Sequence, residues 1–198
     1  DLIGSPQKFD FCLNFKHPDF NVSVAVHEVV HMLTKHEYVG RNVRGEWQSG
    51  SLYFMRGQSF YLPPLNEKLP NRSEIEIYLN SQDKALMYFQ VYLTGQSGAQ
   101  DFRLLADELN AYTFQLGTLI RLPYDIDRHS IYSHRDGVAA FLYYFEMYLR
   151  LLREKYPSAY NEIQNNVIWK EFFKQLWDNA EASLLSACHH PSFGMYDK

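Results

Sequence analysis

Hydrophobic positions between residues 22 and 33 recur at the spacing of an α-helix. The apolar stripe consists of Val22, Val26, Val29, Val30 and Leu33. Side chains three and four positions apart share one face of a helix, so this stripe predicts an amphipathic helix with one buried face. Asn21 or Ser23 can cap its start, and we expect the helix to run to about His36.

A change of pattern follows this first helix. Glycines at positions 40, 45 and 50 indicate turns, and two aromatic-rich runs then flank the dipeptide Arg56-Gly57. This arrangement predicts a β-hairpin over residues 52–62, which Pro63 and Pro64 bring to an end.

Helical patterns dominate the rest of the chain. Ser73 and Glu76 form a capping-box pattern that opens a predicted helix over about 74–93, and Asp101 caps another over about 102–119. Residues 121–136 are expected to form a loop. Further helices are predicted over about 138–155, 158–166 and 168–186. These elements indicate an α+β, mostly helical fold, in which the chain 1–198 forms a single domain with a core at about 20–120 and a helical extension at about 137–187.

Composition and charge narrow the classes of function. A hydrophobic share of 46% and a charged share of 21% are typical of a globular protein. The net charge of −4, without a basic run, argues against a nucleic-acid partner. No apolar stretch is long enough to span a membrane. An initial Asp1 and two cysteines, Cys12 and Cys188, favour an exported protein, periplasmic or secreted, over a cytoplasmic one. The cysteines are either a disulfide pair or two buried thiols.

The first helix carries a five-residue motif, H-E-x-x-H, at His27, Glu28 and His31. Histidines four residues apart on a helix can direct two imidazole nitrogens at one metal ion, and the glutamate between them can reach a water on that ion. The alternative is a pair of ordinary histidines on an amphipathic helix. The absence of proline and of any other charge over residues 24–33 favours the metal site.

A catalytic zinc ion needs a third protein ligand and an open position for water. The extended motif with a glycine at position 34 and a histidine at position 37 is excluded, because this chain has Thr34 and Glu37. Glu108 is the leading candidate, since it is predicted to lie mid-helix among apolar residues, where a carboxylate needs a partner. It can also be an exposed helix acid. The competing ligands are Asp107, Asp101, His129 and His134.

With these residues, the region 20–120 resembles the gluzincin class of zinc metallopeptidases. That class combines H-E-x-x-H with a glutamate from a later helix, and its E-x-x-A pattern matches Glu108 to Ala111. The resemblance implies a zincin-like active-site helix and one catalytic zinc ion held by His27, His31 and Glu108. One position departs from the class, because Tyr112 stands where many members have an aspartate that orients a histidine ligand. Asn110 or Asp107 are the candidate substitutes.

The resemblance also implies a reaction. A zinc-dependent peptidase of this class hydrolyses a peptide or protein substrate, with Glu28 as the general base. The predicted hairpin, at Tyr53, Phe54 and Met55, is a candidate for aligning the substrate strand, or is purely structural. The candidate donors to the transition state are His129, Tyr132 and His134, each of which can also be a solvated loop residue. The alternative function is a non-catalytic gluzincin-like domain that acts as a metal- or protein-binding module.

Overall fold

The structure, a computed structural model, describes residues 18–42, 44–122 and 134–188. It begins with helix α1 (Pro18–Leu33), followed by three strands, β1 (Lys35–Arg41), β2 (Trp47–Met55) and β3 (Gln58–Leu62). A 3-10 helix (Arg72–Tyr78) leads to three short helices, α2 (Ser81–Ala85), α3 (Met87–Tyr92) and α4 (Gly95–Gly98). Four longer helices complete this part of the chain: α5 (Phe102–Leu119), α6 (His134–Lys155), α7 (Pro157–Asn165) and α8 (Val167–Ala187).

The three strands form one antiparallel sheet in the order β1-β2-β3. The predicted hairpin is confirmed as β2 and β3, and its turn places Arg56 at φ 49° and Gly57 at φ 76°. Both residues of a two-residue hairpin turn with this twist need positive φ, which the glycine adopts without strain. Strand β1 was not predicted. The first helix ends at Leu33 rather than near His36, because the following residues pair with β2.

The helix predicted over about 74–93 is wrong, since this stretch divides into the 3-10 helix, α2 and α3. The break has a local cause at Asn80, whose side chain accepts hydrogen bonds from the backbone N–H groups of Gln82 (2.7 Å) and Asp83 (3.0 Å). Such a side chain satisfies the first donors of a new helix and so competes with continuation of the old one. The cap of α5 is confirmed, because Asp101 accepts from the N–H of Arg103 at 2.9 Å.

Helix α5 lies at the centre of the molecule and packs against α1, α6 and α8. Its first residue, Phe102, is fully buried in ring contact with Phe145, Tyr148 and Phe173 from α6 and α8. The hydrophobic cluster continues from Tyr53 on β2 to Ala187 at the end of α8, so the C-terminal helices share the core of the sheet. The structure therefore confirms an α+β, mostly helical protein with a small antiparallel sheet.

Among the described residues, no helix combines the length and the apolar character that crossing a lipid bilayer requires.

Candidate metal centre

Helices α1 and α5 pack side by side and bring three metal-ligating side chains together. The Nε2 atoms of His27 and His31, one helical turn apart on α1, lie 2.9 Å from each other. The Oε2 atom of Glu108 on α5 lies 3.7 Å from the first of these nitrogens and 3.6 Å from the second. The three predicted ligands, His27, His31 and Glu108, thus lie together. They are the one group of three or more potential metal ligands found among the described residues.

This triangle of atoms has the size of a zinc site. Bonds of about 2.0–2.1 Å in a tetrahedron separate neighbouring ligand atoms by about 3.3 Å. The three observed distances between these atoms, 2.9, 3.6 and 3.7 Å, lie on both sides of that value. The side chains would need to shift by only a few tenths of an ångström to match it. Two histidine nitrogens and one carboxylate oxygen are also the donor set that zinc accepts in catalytic sites.

The burial of Glu108 supports the same conclusion. Its Oε2 atom is buried and makes no hydrogen bond, because both imidazole nitrogens are beyond 3.5 Å. A buried carboxylate oxygen without a partner is costly, and a metal ion is one group that would satisfy it. Burial raises the pKa of Glu108, but the neighbouring His27 and His31 outweigh that effect and lower it. The side chain is therefore ready to bind a cation as a carboxylate.

A second carboxylate, Asp107, contacts one of the two clustered histidines. The Nδ1–H group of His31 donates a hydrogen bond of 2.8 Å to its Oδ2 atom, which leaves Nε2 directed at the cluster. His36 on β1 donates to the same oxygen from Nε2 at 3.2 Å. A carboxylate behind a histidine ligand fixes the ring and its tautomer. Of the two residues considered for orienting a histidine, Asp107 therefore contacts His31, whereas Asn110 donates to the carbonyl of Phe54 at 2.9 Å.

The same contacts set the charge of the cluster in the absence of metal. Burial lowers the pKa of His31, but the hydrogen bond to Asp107 and the nearby carboxylate of Glu108 outweigh that effect and raise the pKa to about 10. Burial likewise raises the pKa of Asp107, and the hydrogen bonds from His31 and His36 lower it to about 2. A proton on His31 therefore holds the cluster together at neutral pH, and a metal ion would replace it.

Two tyrosine side chains lie beside the cluster: Tyr112, which occupies the position where many gluzincins have an orienting aspartate, and Tyr92, to which the sequence assigned no role. The ring of Tyr112 meets the ring of His27 edge-on at 4.8 Å, and its hydroxyl lies 2.9 Å from that of Tyr92 on α3. Burial and the nearby carboxylate of Glu108 raise the pKa of Tyr92 to about 12, with a smaller contribution from Glu28. The hydroxyl of Tyr92 is therefore protonated at neutral pH and near both carboxylates.

The remaining predicted residues of the site fall in different places. Glu28 is half-buried on α1. His134 is the first residue of α6, where burial and then the charge of His27 lower its pKa to about 4, so it is a neutral imidazole at neutral pH. His129 and Tyr132 lie outside the described residues. Asp101 caps α5 and pairs with Arg103 at 2.6 Å, so it is not a ligand in this structure.

The residues predicted to align a substrate strand do not lie at an edge. Tyr53, Phe54 and Met55 belong to β2, the central strand, and pair there with β3. The side chains of Tyr53 and Met55 are buried in the core, and the carbonyl of Phe54 accepts the hydrogen bond from Asn110. These three residues are therefore engaged by the fold, and the exposed edge next to the cluster is β1. Of the two cysteines, Cys188 is exposed after α8, and Cys12 lies outside the described residues.

Comparison with known proteins adds no relative to this description. No protein-family model, curated protein or solved structure matches the chain.

Proposed function

We propose that this protein is a zinc-dependent metallopeptidase, with His27, His31 and Glu108 as the metal ligands. The observation that supports this most strongly is the convergence of two imidazole nitrogens and a partnerless carboxylate oxygen within 3.7 Å of one another. The hydrogen bond from His31 to Asp107 adds the outer support that metal-ligating histidines have. Zinc, when bound, would act as a Lewis acid that activates water and polarises a peptide carbonyl.

Glu28 is the general base in this proposal. It follows His27 directly on α1, so its carboxylate stands beside the ligands without belonging to the triangle that they form. It would take a proton from the attacking water and pass it to the leaving amine. Its charge is close enough to Tyr92 to contribute to the raised pKa of that hydroxyl.

Tyr92 is the candidate donor to the oxyanion that forms in the transition state. Its hydroxyl keeps its proton at neutral pH and is held by Tyr112 at 2.9 Å. Removing one such donor typically lowers kcat by 10²- to 10³-fold, so a Tyr92→Phe variant should lose about that much activity while its zinc affinity stays the same. The control is Tyr144→Phe, which removes a buried hydroxyl that makes no hydrogen bond. Equal activity in the two variants would exclude this role for Tyr92.

Strand β1 is the candidate platform for the substrate. It is an edge of the sheet, it follows α1 after Thr34 alone, and its residue His36 reaches Asp107 behind the metal ligands. An extended peptide can add to such an edge through backbone hydrogen bonds. The substrate class that fits is therefore a peptide bound in an extended conformation.

A Glu28→Gln variant tests the proposed reaction. We expect it to bind one zinc ion per chain, as the unaltered protein would, because Glu28 is not a ligand. Cleavage of a peptide library should fall by roughly 10²- to 10⁴-fold, since the general base is lost. The matched control is Glu181→Gln, an exposed acid on α8 that should leave cleavage unchanged. Cleavage by the Glu28→Gln protein at the unaltered rate would refute the proposal.

One observation favours the second candidate, a metal- or protein-binding module without catalysis. The Nδ1 atom of His27 is buried and has no hydrogen-bond partner, so this ligand lacks the orienting group that His31 has. Stoichiometric zinc binding without cleavage of any peptide in the library would support this second function over the first.

A further inference from the structure

Strand β1 contains an irregularity next to the metal centre. Lys35 pairs with Leu52, and Tyr38 pairs with Gly50. Three steps along β1 therefore face two steps along β2, so one extra residue is accommodated on β1 between these pairs. This is the signature of a β-bulge, a feature that redirects a side chain and is frequent beside active sites.

His36 lies within this bulge. Its carbonyl accepts a hydrogen bond of 2.9 Å from the hydroxyl of Ser51, a buried residue of β2. Its ring packs edge-on against Tyr53, with 5.9 Å between the ring centres. The backbone and the ring are thus both held, and the Nε2 atom points at Asp107.

Apart from the two histidines, Asp107 has the nearby hydroxyl of Thr34, which makes the last and smallest of the contributions that lower its pKa. It is almost fully buried, and its Oδ1 atom makes no hydrogen bond. Its Oδ2 atom accepts from His31 at 2.8 Å and from His36 at 3.2 Å. Without His36, Asp107 would depend mainly on the ring of His31 for its own orientation. Yet Asp107 is the group that has to orient that ring. The second donor from β1 ties that carboxylate to the sheet instead.

We propose that the bulge in β1 makes His36 a positioning residue for the metal ligand His31, acting through Asp107. The sheet in this way contributes to a site whose three ligands all lie on helices α1 and α5. The inference rests on the proposed metal centre but not on peptide hydrolysis, so it applies to either candidate function.

The test measures metal binding to the whole chain with two probes, Zn²⁺ in a chelator competition and Co²⁺ through its visible spectrum. His36→Phe keeps a ring against Tyr53 but removes the donor, and we expect zinc affinity to fall by about 10-fold or more, with an altered cobalt spectrum. His36→Gln places an amide N–H near the position of Nε2 and should restore the spectrum and most of the affinity. Tyr38→Phe, on the same side of β1, is the matched control and should leave both unchanged.

Each outcome decides a different claim. Unaltered affinity and an unaltered cobalt spectrum in His36→Phe would overturn the role of His36, even if the unaltered protein binds one zinc ion. Failure of the unaltered protein to bind zinc would overturn the metal centre itself. If circular dichroism shows that His36→Phe does not fold, Ser51→Ala replaces it, since it removes the hydroxyl that holds the His36 carbonyl. If the zinc affinity and the cobalt spectrum of Ser51→Ala are both unchanged, the inference is likewise overturned.

Discussion

Asp107 connects the metal ligands to the rest of the protein. Two histidines from different elements donate to its Oδ2 atom, one from α1 and one from β1. Glu108, the next residue on α5, approaches the ligand cluster itself. In the proposed metal centre, these adjacent acids on one helix would therefore have different tasks, Glu108 as a ligand and Asp107 as the support of a ligand.

The pKa of His31 leads to a prediction for the metal-free protein. Its folded-state pKa of about 10 lies above the unfolded value of 6.5, so it stabilises the fold fully below pH 6.5 and this contribution is lost as the pH rises through 10. We expect the Tm of metal-free protein to decrease over this range, by roughly 2–4 °C for each 1 kcal/mol of coupling.

The control for this pH dependence is Asp107→Asn. It removes the negative charge that the His31 ring contacts at 2.8 Å, so the decrease in Tm should become smaller. Zinc-loaded protein should show the opposite trend, because zinc binds the deprotonated ring and competes better as the pH rises. A Tm of the metal-free protein that stays constant from pH 6.5 to 10 would contradict the assigned protonation of His31.

At the level of the elements, the close approach of α6 to α5 determines where the ring of Tyr112 lies. A Cβ atom at the buried Gly137 would stand 2.6 Å from two atoms of that ring, which in turn contacts His27. The absence of a side chain at Gly137 thus leaves space for the Tyr112 ring beside His27.

We predict that Gly137→Ala destabilises the protein by about 1–3 kcal/mol, the usual cost of overpacking, and also weakens zinc binding. Gly117→Ala is the matched control within α5, where the added Cβ meets its nearest atom at an ordinary 3.4 Å. A helix interior favours alanine, so this variant should gain roughly 0.5–1 kcal/mol. Urea unfolding of both variants measures the difference, and equal stabilities would show that the Tyr112 ring is not constrained by α6.

The elements that the sequence predicted well are those with local signals. Helix α5 has a capping aspartate and a long periodic stripe, and the hairpin has a turn that glycine favours, so both were found within a few residues. Strand β1 was missed because its pairing partner lies beyond a turn and because its sequence, rich in polar and charged residues with none of them fully buried, has no apolar face that would indicate a strand. The 3-10 helix and α2 were missed because Asn80 acts through hydrogen bonds that helical periodicity does not reveal.

At the level of the whole molecule, the centre depends on packing between distant parts of the chain. The sequence predicted His27, Glu28, His31 and Glu108, because the chemistry of zinc restricts the residue types and the spacing on a helix. Asp107 was predicted both as a competing ligand and as one of two possible supports, and no role was predicted for His36 or Tyr92. Those roles arise only when β1 and α3 are placed against α5, which local patterns cannot specify.

The central claim is that His27, His31 and Glu108 bind one zinc ion. The most direct test is the zinc content of the protein after equilibrium dialysis, compared between the unaltered chain, Glu108→Ala and the exposed-site control Glu181→Ala. We predict about one zinc ion per chain for the unaltered protein and for Glu181→Ala. Glu108→Ala should lose most of the bound zinc. Zinc well below one per chain in the unaltered protein, or full zinc content in Glu108→Ala, would contradict the claim.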